Sequence, residues 1–266
     1  MELTYDTLGP VALAVQVGTG DIEVRAEDTP TTRIEISGYD RDHPPRVSCD
    51  PTPNGGHRVT IEYRTNRTWG FSFGKGLAAR IVVPTGATLE ISSGSAELDA
   101  RGTLHAITVR SGSGDLRFDD VTGDVQIACA SGDVEGRSIG GHLSFKGASG
   151  DIAIGSVSTG VTVRSASGDI QIGRLDGTST ITVASGDIEV RDIGAGSVKV
   201  RAIAGDVQVG VREGMGVWLD VSSSSGDVHS SLEPAARGEQ RETPELELTV
   251  NTVSGDVEIG RVGSRR

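Results

Sequence analysis

Residues 165–173 read SASGDIQIG, and close variants of the phrase recur as ACASGDVEG, KGASGDIAI and TVASGDIEV. The glycine of the Ser-Gly-Asp core falls at Gly114, Gly132, Gly150, Gly168 and Gly186, a constant period of 18. The phrase returns at Gly205, Gly226 and Gly255 after 19, 21 and 29 residues, so the later repeats carry insertions. Ser95-Ala96-Glu97 keeps the register one step upstream, and Thr122-Gly123-Asp124 is a half-period copy nine residues after Gly114. Self-similarity at a fixed period is the signature of a repeat architecture.

The columns of the repeat say what kind. Two places after each glycine stand Leu116, Val134, Ile152, Ile170, Ile188 and Val207; two further on stand Phe118, Gly136, Ile154, Ile172, Val190 and Val209. Apolar residues two apart share one face of a strand. Val121, Ile139, Val157, Leu175 and Ile193 follow three places later, and pairs such as Leu143/Phe145 and Val161/Val163 repeat the spacing in the second half. Each unit of 18 is thus two short strands joined by tight turns. One unit cannot bury its apolar face, but stacked copies can. The expected fold is all-β: a single-stranded parallel β-helix, with like columns about 4.8 Å apart. A left-handed hexapeptide helix also fits 18 residues per coil but needs apolar positions six apart, whereas these are nine apart. A right-handed coil is expected, as for β-crossover-β connections generally.

The Ser-Gly-Asp phrase itself reads as corner chemistry. Glycine accepts the positive φ of a sharp turn, and the flanking Ser and Asp can hydrogen-bond the turn's own backbone. The structural corners are therefore Gly114-Asp115, Gly132-Asp133, Gly150-Asp151, Gly168-Asp169, Gly186-Asp187 and Gly205-Asp206.

Composition agrees. The 266 residues include 38 glycines, about twice the usual share, and only nine aromatics, too few for a conventional large core. Val and Ile fill a narrow interior instead. The net charge of −12 would be repelled by a phosphate backbone, so a nucleic-acid partner is not expected. The opening MELTYDTLGP has no basic n-region or apolar h-region, and no run approaches 18 apolar residues. A cytoplasmic protein without direct membrane insertion is expected, held at a membrane only through a partner. Cys49 and Cys129 read as reduced thiols, not as a disulfide framework.

One domain is expected over 1–266: irregular N-terminal coils with hairpin excursions over 1–92, regular coils over 93–210, and C-terminal coils over 211–266. The polar stretch 232–245, LEPAARGEQRETPE, reads as a mobile loop, after which LELTVNTVSGDVEIGR reads as the coil that closes the stack. Together GTGDIEV, ARIVVPTGATLEISSGSAELDARG, the run of SGD coils and the ending TVSGDVEIG resemble the bacterial toastrack family over nearly the whole chain. This is a β-strand-repeat domain of unassigned function, also labelled "putative adhesin". The resemblance implies a single-stranded β-helix acting as a sensor or interaction module. Many relatives sit beside membrane segments of envelope-stress systems. It implies no catalytic residues and no cofactor.

Three features are candidate sites. The corner Asp ladder reads either as a cation site or as carboxylates bonded to their own turns. Calcium needs six to eight oxygens, and each corner offers one carboxylate. A basic column, Arg110, Lys146, Arg164 and Arg201, stands beside Thr108, Gln126, Ser144, Thr162 and Thr180 on the same face. It reads as a strip for an acidic partner or glycan, or as charge balance for the Asp ladder. Trp69, Phe71 and Phe73 in TWGFSFGKG read as a contact patch for a protein partner or as a cap. Outward acids are sparse. Glu135 and Glu189 lie three coils apart, roughly 14 Å by strand spacing, too far for the ~5–9.5 Å of paired-carboxylate glycoside hydrolysis. The leading expectation is a non-catalytic scaffold for a protein partner, with a glycan-binding or adhesin-like β-helix as the alternative and end-to-end self-assembly as a third reading.

Overall fold

The computed structural model describes residues 1–63, 76–233 and 244–262. The aromatic loop with Trp69, Phe71 and Phe73, and most of the 232–245 loop, lie outside the described residues. The chain divides into two compact units, Met1–Arg137 and Ser138–Arg266.

The first unit holds β1 (Glu2–Asp6), β2 (Val11–Glu27), β3 (Thr31–Ser37), β4 (Arg46–Pro51), β5 (His57–Tyr63), β6 (Leu77–Pro84), β7 (Thr88–Leu104), β8 (Ala106–Ser113), β9 (Leu116–Val121) and β10 (Val125–Cys129), and the start of β11 (Val134–Ile139). The long β2 spans a whole coil. Val11–Val17 runs parallel to β5 and Gly20–Glu27 parallel to β6, while its other edge runs parallel to β7. Antiparallel pairs interrupt this order only near the chain start: β1 with β3, β3 with β6, and β4 with β5. From β7 onward pairing is parallel, β7 with β8 and β9 and β8 with β10.

The second unit is more regular. It holds β12 (His142–Gly147), β13 (Ile152–Val157), β14 (Gly160–Ser167), β15 (Ile170–Leu175), β16 (Ser179–Ser185), β17 (Ile188–Ile193), β18 (Gly196–Ala204), β19 (Val207–Val211), β20 (Val217–Ser225), β21 (Val228–Ser230), β22 (Leu246–Ser254) and β23 (Val257–Arg261). Strands two apart in sequence pair in parallel and in register, as in Ile152↔Ile170↔Ile188↔Val207↔Val257. All five of these side chains are 1% exposed. This is the dry seam that the columns predict, and the other core columns are buried in the same way. The fold is an all-β parallel solenoid.

The coil order departs from expectation at one end. β22 pairs with β18 on one edge and β20 on the other, and β23 lies likewise between β19 and β21. The last coil in sequence therefore does not close the stack; the coil of β20 and β21 is outermost. The side chains explain this. Leu246, Leu248, Val250 and Ile259 are fully buried, which suits a coil covered on both sides. Ser230 stands in register with Ile259, so the β20–β21 coil puts a polar group into a core column, where an end coil tolerates it.

The corner glycines take positive φ, 116° at Gly168 and 138° at Gly186. Stacking makes the demand stricter, because a Cβ on Gly186 would run into the carbonyl oxygen of Gly168 one coil below. Gly214 also has positive φ, 76°, but a Cβ there meets nothing. Gly186→Ala is expected to cost about 1–3 kcal/mol or more, and Gly214→Ala less, read as the two shifts in urea midpoint. Equal shifts would mean that backbone conformation alone sets the requirement.

Candidate functional site

The corner carboxylates are consumed by the stack. In the second unit the Asp169 N–H donates to Asp151 Oδ1 at 2.8 Å, Asp187 to Asp169 at 2.9 Å and Asp206 to Asp187 at 2.8 Å. The chain of bonds continues from Asp256 to Asp206 and from Asp227 to Asp256, each at 2.8 Å. In the first unit Asp133 donates to Asp115 at 3.0 Å. This corrects the expectation that each Asp bonds its own turn. The amide belongs to the equivalent Asp one coil on, because the corner stacks in register. A hydrogen bond to a charged acceptor contributes about 1.5–3 kcal/mol, more than the ~1 kcal/mol of repulsion between neighbouring carboxylates in water. The ladder is a staple between coils.

The sheet face carried by the first strand of each coil is a closed charge lattice. In the first unit Glu23 meets Arg25 and Arg80, Asp99 meets Arg101, Glu135 meets Arg117, and Arg137 reaches Asp119 and Asp120. A groove of about 560 Å³ opens here beside Glu23, Glu27, Arg33 and Arg80, and its arginines are paired as well. In the second unit Arg191 meets Glu189, Arg174 meets Asp192, and Arg212 bridges Asp176 and Asp192 at 3.1–3.2 Å. The Asp192 hydrogen bond holds the Arg212 guanidinium above its ordinary range, against partial burial, and Asp176 adds to the effect.

The opposite face of the second unit, formed by β12, β14, β16, β18, β22 and β20, is different. One column runs Lys146↔Arg164↔Thr182↔Arg201↔Asn251↔Ser222. Two residues upstream, on the same side, runs Ser144↔Thr162↔Thr180↔Lys199↔Thr249↔Asp220. Lys146, Arg164, Lys199 and Arg201 are all exposed. Among the described residues none of the four forms an ion pair, in contrast to Arg174, Arg191 and Arg212. The basic column is not ion-paired with the Asp ladder, whose carboxylates accept the amides of the next coil. His142 Nε2 lies 2.9 Å from Thr162 Oγ1 at the border of this face.

The structure thus brings Lys146, Arg164 and Arg201 together on the second unit. Arg110 is exposed on the first unit, in register with Ser92 and Ala128. Sequence reading missed Lys199. It continues the Ser144/Thr162/Thr180 column, but the 19-residue step between Gly186 and Gly205 hides the register unless it is counted from Arg201. Cys49 and Cys129 are free thiols. Burial raises both above the ordinary thiol range, with Asp50 adding to the effect at Cys49. None of the described residues forms a helix long and apolar enough to cross a membrane.

Asp187→Asn retains an acceptor for the Asp206 amide, and the charge assistance it gives up is offset by relieved repulsion from the neighbouring carboxylates. It is expected to be neutral or stabilising, whereas Asp187→Ala is expected to cost about 0.5–1.5 kcal/mol. Urea unfolding of the two variants checks this; equal losses would show that the oxygen is not used as a staple.

No protein of curated function matches the sequence. Among solved structures, a "putative adhesin" from Bacteroides fragilis is similar at 15% identity over 98% of this chain and 96% of its own, with a TM-score of 0.47. A "putative adhesin" from Parabacteroides distasonis is similar at 13% identity over 97% and 96%, with a TM-score of 0.43. A "putative cell adhesion protein" from Clostridium sporogenes is similar at 8% identity over 98% and 99%, with a TM-score of 0.29. Residues 11–260 match the family described as Toastrack DUF4097. With that match spanning the repeats, the corners and the inserted last coil, the chain belongs to the Toastrack family.

Proposed function

We propose that the chain is a non-catalytic, adhesin-like interaction module that offers the Ser/Thr-rich basic face of its second unit to an anionic ligand. The observation that carries this reading is the segregation of charge. Four exposed cations without ion pairs share one face, while the arginines of the opposite face are neutralised. In a chain of net charge −12 such a face is an exception that ordinary solubility does not require. The corner carboxylates Asp169 and Asp187 accept ladder amides, and Glu189 and Asp192 are paired with arginines, which fits a display surface better than an acid–base site. A display role toward a protein partner in envelope-stress sensing would rest on Trp69, Phe71 and Phe73, which lie outside the described residues.

The test is retention on a sulfonate cation exchanger at pH 7 and low salt. A protein with a sequence pI near 4.9 would ordinarily flow through. The native chain is expected to be retarded and to elute as salt rises and screens the face. The Lys146→Gln/Arg164→Gln/Lys199→Gln/Arg201→Gln variant is expected in the flow-through. Flow-through of both proteins would sink the reading.

A further inference from the structure

Resting on that reading, we infer that the ligand of this face is an acidic polysaccharide, a linear sugar polymer bearing carboxylate or sulfate groups, laid along the stacking direction. The first observation is the geometry of charge. Lys146 and Arg164 are in register on adjacent strands, and Arg201 lies two strands beyond Arg164. With strands about 4.8 Å apart, these cations form a straight row with steps of roughly 5 and 10 Å. Lys199 flanks the row from the same strand as Arg201. A straight, repeating row of cations on a solenoid face matches a straight, repeating anion.

The second observation is what lies between and beside the cations. Thr182 stands between Arg164 and Arg201, and Ser144, Thr162 and Thr180 line the flanking column beside them; beyond Arg201 the two columns continue as Thr249, Asn251 and Ser222 and end at Asp220. Each Ser, Thr and Asn offers both a hydrogen-bond donor and an acceptor, which suits a polymer of hydroxyl groups. A row of cations alone would serve any polyanion; the hydroxyl and amide lattice favours a sugar.

The third observation weighs against an acidic peptide. A peptide that binds a sheet by strand addition needs an unpaired edge. Here the strands from β14 to β22 are hydrogen-bonded on both sides, so their backbone groups are already used. A protein bound flat on the face would rely on buried aromatic or large apolar anchors, and the two columns supply none. The exposed Trp218 is on the same side of the outermost strand as Asp220 and Ser222 but outside the two columns, two strands beyond Arg201 and Lys199.

The experiment is titration calorimetry with polygalacturonate, heparin, neutral dextran and polyglutamate. The proteins are the native chain, the four-Gln variant and Thr162→Val/Thr180→Val/Thr182→Val, all checked for native circular dichroism. Polygalacturonate, heparin or both are expected to bind, and dextran is not. The four-Gln variant is expected to lose at least tenfold in affinity, and the Val variant to lose polysaccharide affinity while keeping any weak polyglutamate binding. Raising salt on the native chain should weaken binding without any substitution. Which polysaccharide binds more tightly separates carboxylate from sulfate recognition. Polyglutamate binding as tight as polysaccharide, or dextran binding as well, would overturn the polysaccharide inference and leave the anion-binding face standing. No binding to any anion, or binding unchanged in the four-Gln variant, would overturn both.

Discussion

The contact on which the rest depends is the stacking of one Ser-Gly-Asp corner on the next. At each corner the glycine leaves room for the carbonyl below it, and the Asp carboxylate takes the amide of the Asp above it. Both requirements are met only when neighbouring coils are in register. A slip of one residue would remove the glycine from the carbonyl and turn every Ile and Val outward. The corners therefore set the register, and the register builds the aliphatic seams that hold the core with so few aromatics.

Register also distributes charge. Side chains at one repeat position form a row, so a small bias in the repeat becomes a surface property. On the first-strand face the bias places acids beside arginines, giving pairs such as Arg191–Glu189 and the Arg212 bridge. Such exposed pairs contribute only about 0–1 kcal/mol each, so their main effect is to silence the face. On the second-strand face of the second unit the acids are confined to β22 and β20, as Glu247 and Asp220, and the row of Lys146, Arg164 and Arg201 forms no ion pair among the described residues. The same ladder that stabilises the chain thus also leaves a regular cationic lattice.

Much of this was legible in the sequence because periodicity is a direct record of stacking. The core columns, the positive-φ corners and the basic column can all be counted from the glycines. What escaped counting depended on contacts between coils. The Asp carboxylate reaches the next coil because the two corners superpose, and no single turn reveals that. The insertion of β22 between β18 and β20 escaped because chain order was taken for stacking order, although Ser230 in a core column marks its coil as the end. Lys199 escaped because a single inserted residue displaces its column. The aromatic loop, the most conspicuous feature of the composition, falls outside the described residues.

The measurement that bears most directly on this account is a disulfide test of coil order on the cationic face. In a chain with Cys49 and Cys129 replaced by Ser, one variant carries Arg201→Cys with Asn251→Cys, which the register places on adjacent strands. A second carries Arg201→Cys with Ser222→Cys, two strands apart. Adjacent strands bring Cα atoms to about 4.8 Å, within the ~4.4–6.8 Å that a disulfide spans, whereas two strands exceed it. Mild oxidation is expected to close the first pair and leave the second open. Closure of the second pair and not the first would mean that coils stack in chain order, and that the rows assigned to the binding face are wrong.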